Sequence, residues 1–373
     1  MRLSFKKQQH FFDRSALLCY NSNMLNYLKM LSVQELLDWY QANKRDLPWR
    51  KTTDPYCIWV SEIMLQQTRV EAVKNYYLRF LTELPNVASL AACDENKLLK
   101  LWEGLGYYNR VKNMQTAAKQ ILTEFQGKFP SNFLTLKKLK GIGDYTARAV
   151  ASIAFGEPQA VVDGNVLRVC CRYCADNGDV KQESFRKKIQ ETLNECISKT
   201  EPGNFNQAMM ELGATVCLPN GEPMCFKCPL NKNCQAYLRA DPQQFPVKTK
   251  KELRKIEHKT VLLLVCDDKV AVQKRAAKGL LASLYEFPNV DGFLAPDAAA
   301  ERFGILPKDI LRTEQLPKAR HIFSHLEWEM QGFLVTLRSP VEGITFISKN
   351  ELLQNYSVPS AFGAYVKEVK SRL

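Results

Sequence analysis

The hydrophobic positions change their period once along this chain. From Ser32 to about Ala240 apolar residues recur at helical spacing, and strand-like alternation is nearly absent. SVQELLDWYQANKR opens on a serine in a capping position, followed by apolar residues at helical intervals. SEIMLQQTRVEAVKNYYLRFLTEL reads as one or two amphipathic helices. NKLLKLWEGL, RVKNMQTAAKQILTEF and SFRKKIQETLNECI keep the same period. Beyond a proline break the pattern shifts. VLLLVCDDKVAVQKR holds two short β-rich runs around Asp267 and Asp268, a hairpin signal, and EWEMQGFLVTL and GITFIS are further strands. The expected architecture is multidomain: an all-α domain over residues 31–244, a basic linker over 245–260, and a smaller α+β domain over 261–373.

Length and charge sharpen this picture. The chain has 373 residues, long for one domain and comfortable for two. Its net charge of +13 calls for an anionic partner, and nucleic acid is the usual one; a merely basic protein is the bland alternative. No apolar run is long enough to span a bilayer, so no membrane role is expected. Residues 1–30 are basic but lack a continuous apolar stretch. They read as a disordered extension rather than a secretory leader, with Met24 and Met30 as alternative starts. The linker carries six basic residues, Lys248, Lys250, Lys251, Arg254, Lys255 and Lys259, and is expected near an anionic surface.

Of twelve cysteines, four crowd into CLPNGEPMCFKCPLNKNC: Cys217, Cys225, Cys228 and Cys234. Four thiolates from one small loop can hold an iron–sulfur cube or a tetrahedral zinc. Most of the others sit in apolar periodic segments, where free cysteine is a small buried hydrophobe. Cys171 and Cys174, in RVCCRYC, fall on one face of a helix. This usage fits a reducing, cytoplasmic setting.

In LKGIGDYTA, Gly141 and Gly143 flank Ile142 between helical segments. Two glycines so close allow a tight turn, and the next helix offers unpaired N–H groups to a phosphate. Taken alone, the pair also fits a plain helical corner. About twenty residues later VVDGNVLRV sets Asp163 in a turn just before a helix. This order, hairpin, aspartate, then four-cysteine loop, resembles the helix-hairpin-helix DNA glycosylases. The resemblance covers most of the α domain and implies a [4Fe–4S] cluster rather than zinc. LPWRKTTDPYCIWVSEIMLQQTRV and GLGYYNR narrow it, because both resemble adenine DNA glycosylases of the MutY family. Members of that family remove adenine mispaired with 8-oxoguanine.

The resemblance implies roles. Glu62, in the SEIMLQQT run, is the catalytic acid, and Asp163 is the second carboxylate. Adenine leaves poorly until N7 is protonated, and a glutamate among apolar neighbours keeps a raised pKa suited to that step. An ionised aspartate stabilises the oxocarbenium-like sugar. Without the motif context, Glu62 reads as an exposed helix residue and Asp163 as a helix cap. Bifunctional relatives that also cut the backbone carry a lysine where this chain has Tyr145. A tyrosine cannot form a Schiff base, so a monofunctional enzyme is expected. Asn165 is expected to position the aspartate or a water. Arg45, Trp49, Arg50 and Glu211 are implied walls of the adenine pocket. Leu65, Gln67 and Tyr107 are implied to fill the stack once the base is flipped, and the turn at Gly141 and Gly143 to hold the DNA backbone.

One feature departs from the family pattern. The first cysteine gap encloses seven residues, LPNGEPM, instead of six, and it holds Glu222 but no Lys or Arg. The extra residue fits a turn at Asn220-Gly221, and Lys227 and Lys232 are the candidates to restore positive charge. The C-terminal part resembles the family's Nudix-like 8-oxoguanine-sensing domain through GLLASLYEFP and HIFSHLEWEM. Phe323, Ser324 and His325 are its implied reading loop. The carboxylate-rich Nudix box is absent after Pro288, so a reader role is expected rather than nucleotide hydrolysis. The expectation is therefore a monomeric, cytoplasmic, nucleoid-associated DNA glycosylase of bacterial type. Its substrate is duplex DNA with A:8-oxoG or A:G mispairs. A glycosylase/lyase for oxidised pyrimidines and a non-enzymatic iron–sulfur DNA-binding protein are the alternatives.

Overall fold

The computed structural model describes residues 26–239, 242–247 and 253–373. By their contacts these residues gather into two compact units. One takes residues from Met1–Ile63 and Lys128–Lys250, the other from Met64–Gly127 and Lys251–Leu373. The division therefore does not follow the linear one expected at residue 244. Within the second unit, polar groups tie part of 64–127 to the segment that follows the helix Lys349–Asn355. Lys100 Nζ donates to the Tyr356 carbonyl at 3.0 Å, and the Val358 N–H donates to Glu103 at 2.9 Å. No helix among the described residues is long and apolar enough to cross a membrane.

The first unit is helical. Its helices are Val33–Asn43, most of Pro55–Leu65, Phe133–Leu136, Asp144–Phe155, Gly164–Cys174, Glu183–Cys196, Pro202–Thr215 and Gln235–Leu238. Their apolar faces meet in a core that includes Leu36, Tyr40, Val166, Cys170, Leu193, Phe205 and Leu212. Leu28 lies in the same core, fully buried, so the expected disordered extension ends before it; residues 1–25 lie outside the described part. Ser32 occupies the cap position of the first of these helices, but its side chain does not cap the backbone. Pro55–Leu65 starts cleanly. Asp54 Oδ1 accepts from the N–H groups of Tyr56 and Cys57, and Pro55 takes the first helical position, where no donor is missed. The residues from Ile58 to Ile63 are all buried, which marks a helix enclosed on every side; only its end, SEIML, lies in the run expected to be amphipathic.

In the second unit the helices Val70–Glu83, Val87–Ala92, Glu95–Leu101 and Asn109–Phe125 precede a mixed sheet. Its strands are β1 Lys255–Cys266, β2 Lys269–Lys274, β3 Tyr285–Glu286, β4 Asn289–Asp291, β5 Ile310–Ile322, β6 Leu326–Leu337 and β7 Thr345–Ser348. The order is β3-β2-β1-β6-β5, with β4 also on β1 and β7 on β2. β1 runs parallel to β6 from Lys255↔Leu326 to Val265↔Thr336. It is central and covered on both faces. Val261, Leu263 and Val265 enter one core, and Leu262, Leu264 and Cys266 another, which is why VLLLVC has no polar alternation. Asp267, at φ 52°, turns the expected hairpin into β2.

Two expectations need correction here. The strand β1 begins at Lys255, inside the segment read as a linker. Pairing with β6 and local ion pairs absorb its charge: Lys255 meets Glu257, and buried Lys259 meets Asp291 at 2.7 Å. Lys248, Lys250 and Lys251 lie outside the described residues. The strand β5 was not expected at all. It carries mostly exposed residues and Pro317, which sits at a register shift between Leu316 and Ala319 where no ladder donor is required.

Where β6 meets the helix Gly363–Arg372, a Cβ added to Gly332 would lie 2.3 Å from the Tyr365 ring, which is fully packed. Gly332→Ala is expected to destabilise the protein by about 1–3 kcal/mol through overpacking, read as a lowered midpoint in urea denaturation.

Candidate active site

Glu62 projects from the buried turn of Pro55–Leu65 and is only 6% exposed. Burial pushes its carboxyl up to about 7. The Tyr145 hydroxyl hydrogen-bonds to it and Arg50 lies within electrostatic reach, both pulling down, while nearby Asp163 pushes up. Tyr145 stands in the first turn of Asp144–Phe155. Burial, with the Glu62 and Asp163 carboxyls beside it, pushes its phenol well above the ordinary range, so it stays a proton donor. Its oxygen also lies 3.4 Å from Met210 Sδ, a weaker acceptor than the carboxylate.

Asp163 is the N-cap of Gly164–Cys174. Its Oδ1 accepts from the Val166 N–H at 2.7 Å, and its Oδ2 accepts from Asn165 Nδ2 at 2.8 Å. The cap reading and the carboxylate reading thus fall on the same side chain. Asn165 is itself oriented. Arg168 Nη2 donates to its Oδ1 at 2.9 Å, which turns the amide nitrogen toward Asp163. Arg168 also donates to the carbonyls of Gly213 and Cys217, each at 2.8 Å. Gly213 permits the contact, because a Cβ there would lie 2.6 Å from Asn165 Cβ. The approach to Asp163 is pinned by buried Asn206, whose amide accepts from the Val161 N–H and donates to the Gln159 carbonyl.

Glu211, Arg45 and Arg50 come together as one ion-paired group. Arg45 gives Glu211 its backbone N–H, Nε and Nη2 at 3.0, 2.8 and 2.6 Å, and Arg50 gives Nη2 at 2.8 Å. Burial pulls the Glu211 carboxyl up, but these hydrogen bonds outweigh it and hold the group at about 2. Trp49 is buried in the 3₁₀ turn Pro48–Arg50 beside them in sequence. Gly141, at φ 76°, closes the turn before Asp144–Phe155. Gly143 caps that helix with extended backbone and open space around it.

Cys217, Cys225, Cys228 and Cys234 line one cavity, together with Arg172 and Pro223. Among the described residues no three Cys, His, Asp or Glu side chains converge on a single ion position. Four thiols lining one cavity are a donor set suited to an iron–sulfur cube or a zinc ion. Arg172 holds the loop by donating to Cys217 Sγ at 3.3 Å and to the Leu218 and Phe245 carbonyls at 2.8 and 2.9 Å. Gly221, at φ 73°, makes a turn within the loop, at the Asn220-Gly221 position expected for one. The charge expected from Lys232 is engaged by Glu35 at 3.0 Å, whereas Lys227 has no ion pair among the described residues and lies over the Phe226 ring.

In the second unit, Gln67 and Tyr107 carry exposed side chains on left-handed backbone, at φ 61° and 48°, and Leu65 is half-buried. The Tyr107 hydroxyl is 2.7 Å from the Ser324 hydroxyl, which joins two groups the sequence assigned to separate domains. Phe323 is half-buried and edge-on to Trp328 at 4.8 Å, and His325 is exposed. Sequence reasoning missed Arg168, Arg172 and Asn206. The available signal was the two arginines lying within the apolar helical run VLRVCCRYC.

The sequence model of the HhH-GPD superfamily of base excision DNA repair proteins matches residues 60–195, and that of the NUDIX domain matches residues 260–368. The chain is 34% identical to the adenine DNA glycosylase of Mus musculus over 81% of its length and 70% of that protein's. It is 36% identical to that of Buchnera aphidicola from Schizaphis graminum, over 69% of this chain and 74% of the relative. A solved thermostable thymine-DNA glycosylase superposes with a TM-score of 0.52 at 29% identity, covering 57% of this chain and 98% of that one.

The burial of Glu62 has a cost that pH exposes. The unfolded carboxyl loses its proton near 4.5 and the folded one near 7, so between these values the folded state binds more protons and stability falls as pH rises. Glu62→Gln has no such proton to lose. It is expected to be more stable than the parent at about pH 8, by up to roughly 3 kcal/mol, with the gain vanishing below about pH 4.5. Urea denaturation at the two pH values checks this.

Proposed function

The chain belongs to the adenine DNA glycosylase family, and we propose that it excises adenine opposite 8-oxoguanine or guanine, with Glu62 as proton donor and Asp163 as the stabilising carboxylate. Its reaction is hydrolysis of the N-glycosyl bond of adenine in DNA, a step of base excision repair. The observation that carries the assignment of roles is the contrast between two neighbouring carboxyls. Glu62 is buried, hydrogen-bonded by Tyr145 and pushed up to about 7, whereas Asp163 is held by two N–H donors, from Asn165 and Val166. Pairs of carboxyls in such opposed environments divide into acid and stabilising base.

The steps follow from that division. The adenine must leave the stack to reach a buried proton. Glu62 delivers its proton to N7, the C1′–N9 bond breaks, and its electron pair leaves with the adenine. The positive charge left on the sugar is met by Asp163, held still by Asn165 and the Val166 N–H. Water then attacks C1′ and loses its proton to the Glu62 carboxylate. Tyr145 keeps the Glu62 carboxyl in place and offers no amine, so the DNA backbone stays intact. Gly141 and Gly143 form the turn that holds the DNA backbone. Arg45, Arg50 and Glu211, with Trp49, support the adenine pocket from a fixed ion-paired group. Leu65, Gln67 and Tyr107 fill the vacated stack, and Ser324, His325 and Phe323 meet the base opposite. The four cysteines fit an iron–sulfur cluster, proposed as [4Fe–4S], which when bound cross-links their loop.

A labelled duplex with one A:8-oxoG pair tests the function. Strand scission is expected only after alkali. Scission without alkali supports the lyase alternative, and none under either condition ends the enzymatic account. Glu62→Gln is expected to lower single-turnover base release by about 10²–10⁴-fold. In the free enzyme kcat/KM should fall about tenfold per pH unit above about 7, as Glu62 loses its proton. Asp163→Asn should keep duplex binding and lose base release. Iron and sulfide analysis should find about four of each per chain.

A further inference from the structure

We infer that Arg110 is a positioning residue that holds the two stack-filling turns in their projecting form. Positive φ is costly for any residue with a Cβ, by roughly 1–2 kcal/mol, and such strain persists only where the surroundings impose it. Several other non-glycine residues with positive φ have local reasons: Gln126 and Ala175 close helices, and Asp267 turns a hairpin. Gln67 and Tyr107 instead share one arginine, although they lie on separate loops. Arg110 Nη1 donates to the Gln66 carbonyl at 2.6 Å and approaches that of Met64 at 3.5 Å. Its Nη2 donates to the carbonyls of Leu105 and Gly106 at 3.0 and 3.1 Å. The peptide groups preceding both strained residues are therefore fixed by the two ends of one planar fork.

The rest of the surroundings tightens this hold. The guanidinium lies over the rings of Trp102 and Tyr107, at 5.3 and 5.5 Å. Trp102 Nε1 donates to the Gly106 carbonyl at 3.0 Å, and the Arg110 N–H donates to the Tyr107 carbonyl at 2.9 Å. Tyr107 is 49% exposed and Gln67 is exposed too, so the side chains gain little burial from the conformation they are held in. Exposed side chains on a strained, clamped backbone are suited to entering something else. A lysine could not replace the arginine, since a point charge cannot reach both carbonyl pairs at once.

The inference rests on the reading of Gln67 and Tyr107 as residues that enter the stack, and the test separates the two. Full-length wild type, Arg110→Lys, Gly106→Ala, Gln67→Ala and Tyr107→Ala would be mixed with a duplex holding A:8-oxoG and a fluorescent base analogue beside the lesion. Unstacking and base release would be followed together. The comparison duplex carries a further mismatch next to the lesion, so that its stack is already open. Arg110→Lys is expected to bind both duplexes within about threefold of wild type. On the intact duplex it should release adenine about tenfold more slowly with a smaller fluorescence change, and on the opened duplex it should recover most of the rate. Equal slowing on both duplexes would mean a general structural role and overturn the inference. So would an unchanged rate when Gln67→Ala or Tyr107→Ala is slow. If neither of those two variants alters unstacking or rate, the stack-filling reading fails and the inference with it. Should Arg110→Lys lose its cooperative melt, Gly106→Ala decides: its side chain enters open space but strains the carbonyl Arg110 holds, and it must show the same selective loss.

Discussion

A carboxyl group taken out of water is the constraint around which the first unit is arranged. Glu62 cannot be buried charged without loss, and it is not buried alone. The tyrosine that reaches it comes from the helix after the glycine turn, and the aspartate that raises it caps the helix after that. Three chain segments must therefore be fixed to within hydrogen-bonding tolerance. The polar network behind them, Asn206 to the Val161 backbone and Arg168 to Asn165, provides that stiffness. Arg168 and Asn206 also donate to the backbone carbonyls of Gly213, Cys217 and Gln159, which anchors the network to the main chain.

Much of this was legible, and the failures have physical causes. The cysteine loop was readable because four thiolates in one short run have few structural uses. The helical period located most helices, because their faces are one-sided. The run SEIMLQQTRVEAVKNYYLRFLTEL divides into the end of Pro55–Leu65, enclosed on all sides with no polar stripe to read, and the one-sided helix Val70–Glu83. In the same way Arg168 and Arg172 hid in an apolar run, where a buried arginine is visible only through the carbonyls it serves. β5 was invisible because an edge strand with exposed residues and a proline has neither alternation nor β-branched density. The parallel pairing of β1 with β6 is a long-range contact that no local window contains.

The candidate residues themselves followed from motif resemblance more than from residue physics. Nothing in the order SEIM indicates that Glu62 faces Tyr145, nor does GLGYYNR announce that its last residue grips the turn before Gln67. Resemblance supplied positions, and the structure supplied partners. At Phe323 resemblance gave a place in the reading loop, and the structure adds a ring edge-on to Trp328, with the neighbouring Ser324 hydrogen-bonded to Tyr107.

Asp163 has one further implication. Because its carboxylate also starts the helix Gly164–Cys174, sequence drift at this position is filtered by two unequal demands. Other short polar residues meet the cap requirement, so folding would not reject them; only the missing charge would. A lineage that made such a change would keep a well-shaped protein, and its fold would carry no trace of the lost carboxylate.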